Sequence, residues 1–220
     1  MKFLIFILIL FLQNVSAEIL GPSDLDEKNR IRCANLIYSN SQSSVCFADR
    51  FLTRVSTETN INVAKKFTPI KLSENKLFNF PFCVMSGEGN FKLSDAEVEK
   101  LRQFFKLGGF LLASPGCSNK EWDKAFRREI SRILPKKSLE KVPMDHPIFS
   151  TVYNISRLTL KGGGTTLLQG IKINGRLALV YSAEGLNDVT HAKGCCCCGG
   201  NQINECEKVN VNIFTYALLH

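Results

Sequence analysis

The stretch FPFCVMSGEGNFKLSDAEVEKLRQFFKLGGFLLA, residues 80–113, runs from strand to glycine turn to helix to strand. Phe80 to Met85 is uncharged and bounded by Gly87 and Gly89, as a strand buried on both faces would be. Ser94 and Glu97 stand at the S-x-x-E spacing of a capping box. It precedes Val98, Leu101, Phe104 and Phe105, and Gly108-Gly109 supplies the stop. Phe110 to Ala113 then resumes an apolar run. Two buried strands separated by one helix predict a parallel pair, because parallel neighbours need a crossover between them.

The same alternation extends outward. Upstream, Ile31 to Tyr38 reads as a strand and Ser39 to Ser44 as a polar turn. Phe47, Ala48, Phe51, Leu52 and Val55 form a helical stripe, and Phe67 to Leu72 forms a second strand. Downstream of Pro115-Gly116, Trp122, Ala125, Phe126, Ile130 and Ile133 share one helix face that ends at Pro135. Arg176 to Tyr181 reads as a further strand, and Ile213, Phe214, Ala217 and Leu218 mark a closing helix. The order β, α, β, β, α, β, α predicts an α/β fold, doubly wound around a mainly parallel sheet. Residues 136–175 fit it less well. Leu158 to Leu160 and Ile171 to Ile173 flank Gly162-Gly163-Gly164 and predict a small antiparallel excursion.

At the N-terminus, Met1-Lys2 is followed by the apolar run Phe3 to Leu12 and by Val15-Ser16-Ala17, the three regions of a cleavable signal peptide. The apolar run is too short for a membrane span. The expectation is a signal peptide over 1–17, a leader over 18–30 and a single α/β domain over 31–220, in the periplasm or secreted. The net charge of +8 comes from scattered basic residues, without the Arg-rich, aromatic-interleaved pattern of a nucleic-acid binder. Neither a P-loop nor a complete dinucleotide fingerprint is present.

In sheets of this kind ligands lie at the carboxyl ends of the strands. That rule selects Ser39 to Ser44, Ser86 to Asn90, Ser114 to Ser118 and the segment from Ser182 onward. Glu88, between two glycines, is a candidate acid, base or ligand, and Gly87-Glu88-Gly89 reads equally as a tight turn. Cys117 stands on a strand-to-helix turn, the position of an activated thiol nucleophile. Its candidate bases are His146, in Asp145-His146-Pro147, and His191.

Nine cysteines, an odd number, leave at least one without an intrachain partner. Cys33 and Cys83 lie in apolar runs and are expected to be buried. His191 is followed by Cys195, Cys196, Cys197 and Cys198 between Gly194 and Gly199-Gly200, with Cys206 beyond. Alternate side chains of an extended run point opposite ways, so one ion does not take all four thiols. Two readings stand. Alternate cysteines with His191 and Cys206 or Cys117 make a thiolate and imidazole site for Zn²⁺, Cu(I) or iron. Otherwise, disulfides staple the loop to Cys117, Cys46 or Cys206.

Several stretches carry a family resemblance: Cys33-Ala34-Asn35-Leu36, Phe82 to Phe91, Gly108 to Leu112, Gly116-Cys117-Ser118 and Asp145-His146-Pro147. Tyr181 with Gly185-Leu186-Asn187-Asp188, Cys195 to Gly200, and Asn210 to His220 extend it. Over nearly the whole mature chain the sequence resembles the bacterial domain-of-unknown-function family 4159. The resemblance implies a flavodoxin-like, class I glutamine-amidotransferase-like fold and no established activity. It also implies protein partners in the cell envelope, of the MoxR-type ATPase and von Willebrand A kinds. Glutamine hydrolysis is disfavoured: Cys117 lacks the G-x-C-x-G elbow, and neither His146 nor His191 begins an H-x-E. Three functions follow: a non-catalytic envelope module with a metal-binding or disulfide-clamped loop, a hydrolase or transferase using Cys117 or Glu88, and a pure interaction domain.

Overall fold

Strand β3 (Phe82–Met85) is buried at every position, and its side chains alternate between two cores. Phe82 and Val84 face one core, and Cys83 and Met85 face the other. The computed structural model describes residues 29–39, 50–186 and 203–220. Along these, β1 (Cys33–Ile37), α1 (Arg50–Glu58), β2 (Thr68–Lys71), β3, α2 (Asp95–Lys106), β4 (Phe110–Ala113) and α3 (Lys120–Ile133) follow in the order expected. After them come β5 (Glu140–Lys141), β6 (Leu158–Thr159), β7 (Thr165–Thr166), β8 (Gln169–Ile173), β9 (Arg176–Tyr181) and α4 (Cys206–Leu219).

The seven-stranded sheet has the order β2-β1-β3-β4-β9-β8-β5, and β2, β1, β3, β4 and β9 are mutually parallel. This is the flavodoxin-like order, in which the winding direction reverses between β1 and β3. The reversal sends helices to opposite faces. Helices α2 and α3 cover one face through Leu101, Phe105, Trp122 and Phe126, while α1 and α4 cover the other through Leu52, Val55, Ile213 and Phe214. Burying each such side chain contributes about 1.5–3 kcal/mol, so the two-sided burial of β1, β3 and β4, and of β9 after Arg176, accounts for their uncharged sequences.

The capping box is present in full: Ser94 Oγ accepts the Glu97 N–H, and the Glu97 carboxylate accepts the Ser94 N–H. The antiparallel excursion is also present, with a different pairing. Leu158-Thr159 pairs with Thr165-Thr166 around the glycine turn, whereas Ile171 to Ile173 belongs to β8 and pairs antiparallel with β9. Asn174-Gly175 joins β8 to β9 with φ of 51° and 85°, the two left-handed residues that a type I′ hairpin turn requires.

Cys33 and Cys83 are fully buried on adjacent strands, and the register sets Cys83 beside Ala34. Cys33 therefore faces one core and Cys83 the other, so no bond can join them. Phe47 and Ala48 of the expected first helix, and the signal peptide, fall outside the described residues. Among the described residues no helix is long and apolar enough to cross a membrane.

Candidate functional site

The winding direction reverses between β1 and β3, and at their carboxyl ends lies a buried hydrogen-bonded chain. Tyr38, just beyond β1, donates its hydroxyl to the Ser86 carbonyl at 2.9 Å and accepts the indole N–H of Trp122 at 2.6 Å. Tyr38 and Trp122 are both buried, so each polar group needs its partner. Ser39 follows with φ of 46°. Its N–H donates to Glu97 Oε1 at 2.8 Å, and its hydroxyl donates to the Lys92 carbonyl at 2.9 Å. The glutamate of the capping box thus also fixes the end of β1.

The β3 loop packs against this pair of rings. Gly87 is required by close approach rather than by φ: a Cβ there would sit 2.3 Å from Tyr38 Oη and 2.8 Å from Trp122 Nε1. Gly89, by contrast, has φ of 71°. Its N–H donates to Asn119 Oδ1 at 3.1 Å, and that same oxygen caps α3 by accepting the Trp122 N–H at 2.9 Å. Between the two glycines Glu88 is exposed.

The β4 loop is bound to the β3 loop. Gly116 N–H donates to the Gly87 carbonyl at 2.7 Å. A Cβ on Gly116 would lie 3.0 Å from Glu88 Cγ and 3.3 Å from Glu88 Oε1, so the Glu88 carboxylate lies against the residue preceding Cys117. Cys117 and Ser118 are consecutive left-handed residues, with φ of 49° and 51°. Such residues cost about 1–3 kcal/mol each. Cys117 is half-buried just before the amino end of α3. The hydroxyl oxygens of Ser118 and, beyond β9, Ser182 are buried with no hydrogen-bond partner among the described residues. A solvent-accessible carboxylate, a thiol and two buried hydroxyls therefore share one rim, a set suited to binding and to nucleophilic chemistry.

His146 does not join them. Its ring packs 5.3 Å from that of Tyr216, whose hydroxyl accepts the N–H of Leu177 near the start of β9. Cys117 lies beyond the finish of β4, at the level of Tyr181. The expected base is thus at the amino edge of the sheet, at least four strand residues or about 13 Å away. There His146 Nδ1 accepts the Ile148 N–H at 3.2 Å and caps a 3₁₀ turn. Burial, with Lys172 and His220 nearby, holds its pKa below the usual histidine value. A histidine depressed in the folded state supports folding fully above its unfolded pKa of about 6.5, and that support is lost as pH falls through the folded value. The urea midpoint is expected to drop on acidification from about pH 7 to pH 5. His146→Asn, which keeps a capping acceptor, should flatten part of the drop. Parallel profiles for the two proteins would refute this role.

Cys206 is buried at the first turn of α4. Helix α4 descends from the carboxyl rim, where Asn210 donates to the Leu186 carbonyl at 2.7 Å, to the amino edge, where Tyr216 meets Leu177. Cys206 therefore lies toward the same end as Glu88 and Cys117. His191, Cys195, Cys196, Cys197 and Cys198 lie outside the described residues, as does Cys46. Among the described residues no three His, Cys, Asp or Glu side chains converge as a metal-binding group. Tyr38 and Asn119 were not singled out from the sequence. Asn119 had a usable signal, standing as an N-cap ahead of the Trp122 stripe.

A family model described as Domain of unknown function (DUF4159) matches residues 32–218. No curated protein matches the chain.

Proposed function

We propose a function from this premise: the chain belongs to the DUF4159 family, a domain of unknown function. On this proposal the protein is exported and acts as a non-catalytic cell-envelope module. Its carboxyl rim, together with the cysteine run, holds a soft metal ion or closes a disulfide clamp.

One observation carries the reading. Leu186, the last described residue before the run, is tied to the rim by its N–H to Ser114 Oγ at 3.1 Å and by its carbonyl to Asn210. Ser114 is three residues before Cys117. Cys195 stands nine positions after Leu186, a reach of up to about 30 Å, so Cys195 to Cys198 can meet Cys117. Thiolates, with His191 as an imidazole ligand, suit Zn²⁺, Cu(I) or iron. An oxidising compartment favours disulfides between the same sulfurs. The class I glutamine-amidotransferase-like placement is supported by the strand order, and the partners are taken to be other envelope proteins.

Mature protein from its own exported compartment is expected to contain either bound metal or fewer than nine titratable thiols in denaturant before reduction. Elemental analysis and a thiol count with and without reductant provide the check. Metal-free protein with all nine thiols reactive before reduction would remove both forms of the proposal.

A second reading rests on the Glu88 carboxylate against Gly116. In it Cys117 Sγ attacks an acyl carbon while Glu88 or His191 takes the thiol proton and passes it to the departing group, and water then hydrolyses the thioester. Cys117→Ser separates the two: loss of metal or of protected sulfurs supports the module, and loss of hydrolytic turnover with metal and disulfides intact supports the enzyme.

A further inference from the structure

A cleft of about 530 Å³ lies on the far side of β9. Its base follows from strand register. Lys141 of β5 pairs with Gln169 of β8, which pairs with Tyr181 of β9, and directly opposed residues share a sheet face. Helix α3 covers that face and lays the Arg127 guanidinium 5.1 Å from the Tyr181 ring centre. Arg127 Nε donates to Asp123 Oδ1 at 2.7 Å and Nη2 to Gln169 Oε1 at 2.7 Å. The cation is therefore held in place, with Nη1 unused among the described residues. Arg157, just before β6, also lines the cleft.

The charge of the cleft is positive on balance. Among the described lining residues Arg127, Lys141 and Arg157 stand with one carboxylate, Glu184, which accepts the Thr166 hydroxyl at 2.8 Å, while Asp123 outside the lining pairs with Arg127. Among the described residues neither Lys141 nor Arg157 has an ion-pair partner, and both are exposed. Met144, Leu158 and Ala183 add an apolar wall. The volume falls within the range of about 300–1,000 Å³ typical of small-molecule sites.

We infer that this cleft binds a small organic anion, with its oxyanion head among the three cations and a short apolar body against Met144 and Leu158. Cys117 does not line the cleft. A carboxylate and a phosphate monoester share this chemistry, and paired probes distinguish them.

The test is calorimetric titration of the mature chain at low salt with hexanoate, hexyl phosphate and inorganic phosphate. At least one hexyl probe is expected to bind, and the better of the two identifies the head. Lys141→Ala/Arg157→Ala should weaken it about tenfold or more, and Glu184→Gln should strengthen it. Both replaced cations are exposed, so the double variant keeps its fold, and circular dichroism checks this. Failure of both hexyl probes to bind at about 10 mM would overturn the site, as would unchanged affinity in the double variant. Inorganic phosphate binding as tightly as hexyl phosphate would overturn the apolar half.

Discussion

Gly87→Ala is expected to lower the unfolding free energy by about 3–5 kcal/mol, the sum of overpacking and a broken buried hydrogen bond. The added methyl would lie 2.3 Å from Tyr38 Oη and 2.8 Å from Trp122 Nε1. Neither ring can yield cheaply. Tyr38 packs edge-on against Phe91 with centroids 4.9 Å apart, and Trp122 stacks on Phe126 at 5.0 Å. Relief therefore comes from moving the β3 loop, which breaks the Tyr38-to-Ser86 bond and shifts Glu88 away from Gly116. Urea unfolding and near-ultraviolet circular dichroism, which reports Trp122, provide the measurement. A loss below about 1 kcal/mol with an unchanged aromatic spectrum would show that the loop is not held by this contact.

Glu129→Ala is expected to cost about 2–4 kcal/mol, because a buried carboxylate with several donors is removed. Glu129 is 1% exposed on α3. One oxygen accepts Arg128 Nε at 2.8 Å, and the other accepts Arg132 Nη1 and the Leu93 N–H. Both arginines also hold the strand-to-helix connection: Arg128 through the Phe91 carbonyl, and Arg132 through the Leu93 carbonyl at 2.9 Å and Asp95 at 2.8 Å. The carboxylate thus fastens residues 90–95, which lead from the rim turn to the capping box. The arginines are part-exposed and can turn to water, which keeps the cost below that of a fully stranded ion pair. Glu129→Gln retains an acceptor and should lose about half as much. Equal losses for the two variants would place the effect in packing instead.

Elements whose physics is local were legible in the sequence. Ser94 and Glu97 announced α2 because a capping box closes within four residues, and the uncharged run Phe80 to Met85 announced a central strand, whose paired residues Phe82 to Met85 are all buried. The hairpin of β8 and β9 carried its own signal in Asn174-Gly175, but the triple glycine at 162–164 drew the pairing of Ile171 to Ile173 to the wrong partner. Gly87 illustrates what a sequence hides. A glycine needed for left-handed φ and one needed for a passing hydroxyl are written alike, and Tyr38 is 49 residues away. Glu129 interrupts the Phe126, Ile130 and Ile133 stripe, yet only the folded chain brings Leu93 to it. His146 was placed among the candidate bases because residue type says nothing about which edge of a sheet a loop returns to.

The opposed orientation of Cys33 and Cys83 has a use in the test tube. Burial pushes both thiols far above the ordinary cysteine range, and each faces its own core on a central strand. A thiol reagent in native buffer reaches them only when the whole sheet comes apart. Their slow modification is therefore a stopwatch for global unfolding. In a variant with serine at every other cysteine, two sulfurs lost at a single rate would time that event directly.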